Sequence, residues 1–452
     1  MNAGPILVQT IRHLWPELND WIDALPDPRF VPRIVYHKRF LVWWGLSLFL
    51  FKLGSRRQLD FQLTDQDTQV LDNLNRLAGT RQQTRPVHNT LNYFVGRVGA
   101  QPLADLRTPM VRRLLRMKLL DDARLQGRWR ILVDGTGLLV FRERHCPHCL
   151  VQTCGGTTRY LHQVLEAKLV GPGGLVLSLA TEFIDNRDLA DTPADASLER
   201  RKQDCELKAL ARLVPRLRRA FPQLPLCLCG DSLFACGPVL QLARDYRLSY
   251  VLTLKEGRLP SVWQNFQQLL PLCPENRLLV QQPRGLVQEY RWVQDLPYQD
   301  SAGRDWTFTA LQCVERTAEQ TTRFAWITEL KVTPTTVQEV AWKGGRERWC
   351  IENEGYNTQK NSDLNLEHVY SHKNWEAFYY LLQIAHMILQ LVEKGSLLKH
   401  LAQQAGKKVM GLFGSLKNIA ERLRESVRQL RWPDEVYDAA RARRMQIRLD
   451  SS

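Results

Sequence analysis

The pattern of apolar and polar positions divides the chain into successive regimes. As far as residue 128 the spacing is helical. Arg39–Leu53 is almost wholly apolar and ends at Gly54, Thr64–Leu77 and Val87–Val98 follow, and Leu103–Leu125 predicts a longer helix. From Trp129 short apolar runs take over. Ile131–Val133 and Leu138–Phe141 read as a hairpin about Gly135-Thr136-Gly137. Val164–Val170 and Leu175–Ala180 read as a second pair, joined by Gly171-Pro172-Gly173-Gly174. A helix over Leu198–Phe221, a strand over Leu226–Gly230, a helix over Pro238–Tyr246 and a strand over Ser249–Leu254 come next. Strands in meander followed by helix–strand alternation predict an α/β fold, a mixed sheet with flanking helices.

Between about 275 and 332 the pattern alternates with period two, in Arg277–Gln281, Glu289–Val293, Trp306–Val314 and Arg323–Leu330, which predicts a β-rich insertion. Arg346–Asn361, reading RERWCIENEGYNTQKN, has no proline and predicts a helix. Trp375–Val392 is a long apolar helix whose Gln383, His386 and Gln390 mark one face. From Lys394 the chain reads as helical to about Leu430 and as frayed through Arg441–Arg448. These regimes bound five segments: an all-α region 1–128, a mixed region 129–274, the insertion 275–332, a second mixed part 333–393 and a basic helical region 394–452.

Charge changes this picture more than composition does. The net charge is +15, and its placement is uneven. Residues 81–130 hold 11 Lys/Arg against 3 Asp/Glu, and residues 394–452 hold 13 against 6, which accounts for the whole excess. A polyanion gripped by both regions is the natural partner; solvated basic faces are the plainer alternative. Phe40–Phe51 is only 12 residues long, too short to cross a bilayer, so it reads as a buried helix and no membrane partner is expected. The opening MNAGPILVQT lacks the basic and apolar pattern of a secretory signal. With ten cysteines and no secretory context, reduced thiols in the cytoplasm are expected.

Three carboxylates carry the candidate chemistry. Asp134 ends the apolar run Trp129–Val133, Asp231 ends Leu226–Gly230, and Glu352 lies four residues after Arg348, one helical turn along the same face. Alone, either aspartate is a turn residue and the Arg–Glu pair a surface ion pair. Two aspartates leaving strands and a glutamate on a later helix can instead converge on divalent cations. Glu354 and Asp185 are rival acids.

The segments VDGTG at 133–137, CLCGDSLF at 227–234 and RWCIENEGYNTQKN at 348–361 resemble DDE transposases of bacterial insertion sequences, in the branch with a β-rich insertion before the glutamate. The resemblance covers about Trp129 to Gln390. It implies an RNase H-like mixed sheet and a metal-dependent DNA strand transferase with the triad Asp134, Asp231 and Glu352. It further implies two Mg²⁺ (or Mn²⁺) ions about 4 Å apart, which carboxylates suit. Double-stranded DNA, as terminal inverted repeats and target, would be the partner of a homodimer acting in the cytoplasm at the nucleoid. The 1–128 region would then be a DNA-binding domain, with Arg112, Arg113 and Arg116 on its basic face. Arg348 would grip a phosphate bidentately. Tyr356, Asn357, Lys360 and Lys255 are further DNA-contact candidates. This chain departs from the family pattern at two points, with Gly345 where a tyrosine is usual and Gln359 where a lysine is usual. A nuclease that cuts without joining, or a domesticated non-catalytic DNA-binding protein, is the alternative.

Two smaller signals stand apart. Cys146-Pro147-His148-Cys149, with Cys154 or His162, could form a zinc knuckle, or could be a hairpin tip with reduced thiols. Trp292 and Trp306 are read as core residues of the insertion, with base stacking the alternative.

Overall fold

The computed structural model describes residues 3–64, 68–187, 203–361, 364–409, 411 and 416–449. The chain forms two compact units, one made of Met1–Asp122, Gly171–Ser178 and Glu354–Ser452, the other of Ala123–Val170 and Leu179–Asn353.

The first unit is helical. At its centre are Lys38–Leu50 and Trp375–Lys394, which pack against each other and are buried on nearly all sides, as their continuous apolar sequences require. Among the described residues no helix is long and apolar enough to cross a membrane. The region predicted as one helix over Leu103–Leu125 is broken into Ala100–Asp105 and Arg107–Arg116. Leu198–202 of the predicted Leu198–Phe221 helix lie outside the described residues, and the helix seen is Glu206–Ala220. The basic C-terminal region folds back on the N-terminal helices. The Asn73 side chain donates to the carbonyls of Val427 and Leu430 at 3.1 and 2.8 Å and accepts from the Trp432 N–H at 3.0 Å. Arg441–Arg448 was expected to fray; instead Ala439–Arg443 is helical, and Ser396 N–H donates to the Arg448 carbonyl at 3.0 Å.

The second unit carries the sheet. Its strands are β1 (Trp129–Phe141), β2 (Leu150–Cys154), β3 (Thr157–Val170), β4 (Val176–Ile184, whose first residues belong to the other unit), β5 (Leu226–Gly230), β6 (Ser249–Thr253), β7 (Arg277–Gln281), β8 (Val287–Gln299), β9 (Asp305–Arg316) and β10 (Thr321–Thr328). All ten belong to one mixed sheet ordered β2-β3-β1-β5-β6-β10-β9-β8-β7, with β4 also paired to β3. β1 runs antiparallel to β3 and parallel to β5, and β5 is parallel to β6. The β-rich segment predicted as an insertion therefore extends the same sheet, through β10 alongside β6.

The hairpin predicted about Gly135-Thr136-Gly137 is absent, because β1 runs straight through it to Phe141 with a bulge between Gly137 and Leu139. Neither glycine has a positive φ. Gly135 is needed for room instead: a Cβ there would lie 2.2 Å from a Glu206 carboxylate oxygen.

Candidate active site

The central strands fix the first two acids. Leu132 of β1 is level with Cys229 of β5, and continuing that parallel register two residues brings Asp134 level with Asp231, on strands about 4.8 Å apart. Asp231 just past β5 accepts the Leu233 N–H at 2.9 Å, which fixes its carboxylate in the turn.

Arg348 links the third acid to the first. Its Nη2 lies 2.8 Å from Glu352 Oε1 and its Nη1 3.8 Å from Asp134 Oδ2. The side chains of Asp134 and Arg348 are mostly covered, at 18% and 23% exposure, whereas Glu352 is 48% exposed. The predicted single α-helix over Arg346–Asn361 is a composite: a tight turn at Arg346–Arg348, a wide π-type helix over Ile351–Asn357 and an α-turn at Thr358–Asn361. Such irregular helix is frequent where side chains must be aimed at a site.

A fourth acid, unforeseen from sequence, joins the cluster. Glu206 opens the Glu206–Ala220 helix and lies against the backbone of Gly135. Its only sequence signal is an acid in a helix first turn, which the helix dipole favours anywhere. Burial pushes the Glu206 carboxyl up, and the Asp231 charge adds to this. Burial likewise pushes Asp134 up to about 7; Arg348 opposes the shift, while Glu352, Glu206 and Asp231 increase it. An unfolded aspartate titrates near 4, so the stability linked to protonated Asp134 is complete below that pH and lost as pH rises through about 7. In chelator, thermal melts should fall progressively from pH 5 to 8, and Asp134→Asn should flatten that part of the curve. An unchanged slope in the variant would place the titration elsewhere.

Arg130 positions the segment that bears Arg348 and Glu352. This buried side chain of β1 donates to the Ala123 carbonyl through Nε and to the Lys343 carbonyl through Nη1, each at 2.8 Å, and pairs with Glu347. Glu347 also accepts the Trp342 indole N–H at 3.0 Å. Gly345, where the family pattern has tyrosine, packs on Trp326, with a Cβ there only 2.2 Å from the indole. Gly345→Tyr should therefore lower the melting temperature, at a cost of about 1–3 kcal/mol for overpacking; an unchanged melt would contradict the packing described.

Several of the predicted contact residues have other surroundings. Tyr356 is buried, which corrects its reading as a DNA-contact candidate. Gln359 is fully buried in a reciprocal amide pair with Gln383 at 2.9 and 3.1 Å, and contacts His386 Nδ1 at 2.9 Å. A core hydrogen-bond network thus explains the glutamine. Lys360 pairs with Glu367 at 2.7 Å. Asn357, Lys255, Arg112 and Arg116 are exposed, and Arg113 lies 3.9 Å from Glu17. The rival acids have other partners: Glu354 lies 3.5 Å from Lys394, and Asp185 lies 2.8 Å from Arg187. Trp292 is buried, and Trp306 donates to Asp300 at 3.0 Å beneath Arg244. Trp342 and Trp349, close in sequence to Arg348, are exposed.

The donor set of Asp134, Asp231, Glu352 and Glu206 is all carboxylate, which suits hard divalent cations, and a carboxyl held near 7 by burial and like charge is a place where a cation would bind with proton release. Among the described residues, His145, Cys146 and His162 bring three possible ligand atoms within 4.8 Å of one another. Of the four acids, Asp134 and Glu352 are joined through Arg348 rather than directly. No protein-family model matches the chain, and no curated protein does.

Proposed function

We propose that this protein is a DDE transposase with an RNase H-like catalytic sheet. The observation that carries the reading is the Arg348 bridge between Asp134 and Glu352, beside an Asp231 whose charge acts on Asp134 from the end of the neighbouring parallel strand. The run β3-β1-β5-β6, antiparallel on one side of β1 and parallel on the other, supports the RNase H-like part.

Asp134, Asp231 and Glu352 would hold Mg²⁺ or Mn²⁺, with Glu206 beside them. Such ions supply an activated water or 3′-hydroxyl and offset charge on the leaving oxygen. The residues of the chain do the rest. Arg348 turns its guanidinium fork from the acids to a phosphate near the scissile bond. Trp349, next to it and exposed, stacks on a base at the cut end. Arg112 and Arg116 track the backbone of the terminal repeats, and a second protomer brings the other end.

The test is incubation of the purified protein with a DNA fragment ending in the repeats that flank its gene, a target plasmid and Mn²⁺ or Mg²⁺. Nicks at the repeat ends with 3′-hydroxyls joined to the plasmid are expected. Cuts without joined products would replace this reading with a nuclease, and binding without cuts would replace it with a non-catalytic DNA-binding protein.

A further inference from the structure

The connection between β1 and β2 brings four metal-ligating side chains to one place. Cys146 and Cys149 lie in the turn CPHC, and His162 projects from β3 beneath it. Cys146 Sγ and Cys149 Sγ are 3.7 Å apart, and His162 Nε2 is 3.3 Å from the first and 3.5 Å from the second. A tetrahedral zinc ion, with Zn–S of about 2.3 Å and Zn–N of about 2.05 Å, sets S···S at about 3.8 Å and S···N at about 3.6 Å. All three separations are thus those of a shared ion, to within about 0.3 Å. His145 supplies a nitrogen within 4.8 Å of both the Cys146 sulfur and His162.

The surroundings are those of a knuckle. The turn is closed by the Cys149 N–H, which donates to the Cys146 carbonyl at 3.4 Å. Asn186 braces the outside, donating its backbone N–H to the His148 carbonyl at 2.8 Å and its amide to the Cys149 carbonyl at 3.0 Å. Cys149 and His162 are buried, whereas Cys154, the other ligand considered from sequence, is exposed on β2. The two sulfurs are unbonded, and both cysteines are free thiols.

We infer that Cys146, Cys149, His162 and His145 form a structural zinc site that ties the β1–β2 connection to β3. Two thiolates and two imidazoles select zinc over Mg²⁺ or Mn²⁺. Four protein ligands close the coordination shell, so the ion holds structure and performs no chemistry. Binding releases the two thiol protons to solvent and needs no oxidant or reductant. The site is independent of the carboxylate cluster and of the proposed transposase activity.

The full-length protein, purified without chelator from cells grown with zinc, should carry about one zinc ion per chain that survives dialysis and leaves on thiol modification with a mercurial. Exchange for Co²⁺ should give the sulfur-to-metal charge-transfer absorption and the visible bands of tetrahedral coordination. Cys146→Ser, Cys149→Ser and His162→Ala should each lose the zinc. Cys154→Ser with Cys205→Ser, both exposed positions, should keep it. His145→Ala should bind Co²⁺ with an altered visible spectrum, and His148→Ala with an unaltered one. Should the ligand variants misfold, the wild-type zinc content and its cobalt spectrum still decide the matter. Protein that carries no zinc, shows only six-coordinate cobalt, or oxidises Cys146 and Cys149 to a disulfide in preference to binding metal would overturn the assignment. None of these results depends on DNA cleavage.

Discussion

Asp231→Asn and Glu352→Gln should each abolish divalent-dependent strand cleavage while leaving DNA binding within a few-fold of wild type. Charge stabilisation by such cations is worth several kcal/mol, and each 1.4 kcal/mol is a factor of ten, so a loss of about a thousand-fold or more is expected. Both substitutions keep the size and shape of the side chain, and Asp231 can still accept the Leu233 N–H through its amide oxygen. Single-turnover cleavage of an end-labelled repeat fragment, with a parallel gel-shift titration, separates the two effects. Asp185→Asn serves as the control, because that acid is engaged by Arg187. If Glu352→Gln cleaved at the wild-type rate while Glu354→Gln did not, the third acid would have been misassigned.

The second large effect concerns stability. Arg130→Met should cost about 3–5 kcal/mol, because it leaves Glu347 without its buried partner and two carbonyls without a donor. Arg130→Lys should recover only part of this, since one ammonium cannot reproduce the planar fork that reaches Ala123, Lys343 and Glu347 together. Denaturant unfolding gives the size of the loss. Hydrogen exchange of residues 340–352 then separates a positioning role from general destabilisation. In the positioning account those amides lose protection before the sheet does, whereas uniform loss across β1, β5 and β6 would mean that Arg130 only supports the core.

What could be read in advance follows from the range of the interactions involved. The Arg348–Glu352 pair is local, so a four-residue spacing found it even though the helix there is irregular. Asp134 and Asp231 are legible because each follows an apolar run, and those runs are parallel neighbours in the sheet. The supposed hairpin at Gly135-Thr136-Gly137 failed for a non-local reason. Two glycines read as a turn, but Gly135 is small to admit Glu206 from a helix some seventy residues on. Gly345 is the same case, its missing side chain replaced by the indole of Trp326. Period-two alternation marked the strands from 277 onward, yet nothing local to them says that β10 joins β6 and so continues the main sheet. Tyr356 reads as a DNA-contact candidate but is buried, because a residue's place on a helix does not by itself say which face the rest of the chain covers.

The central claim is that the carboxylates about Asp134 form one divalent-cation site, and an anomalous-scattering map of crystals grown with Mn²⁺ and repeat-end DNA tests it most directly. Density for Mn²⁺ shared between the Asp134 and Asp231 carboxylates, with Glu352 drawn in and Arg348 turned toward a phosphate, is the predicted result. Saturating Mn²⁺ bound elsewhere, with Arg348 still joining Asp134 to Glu352 beside the bound DNA, would contradict it.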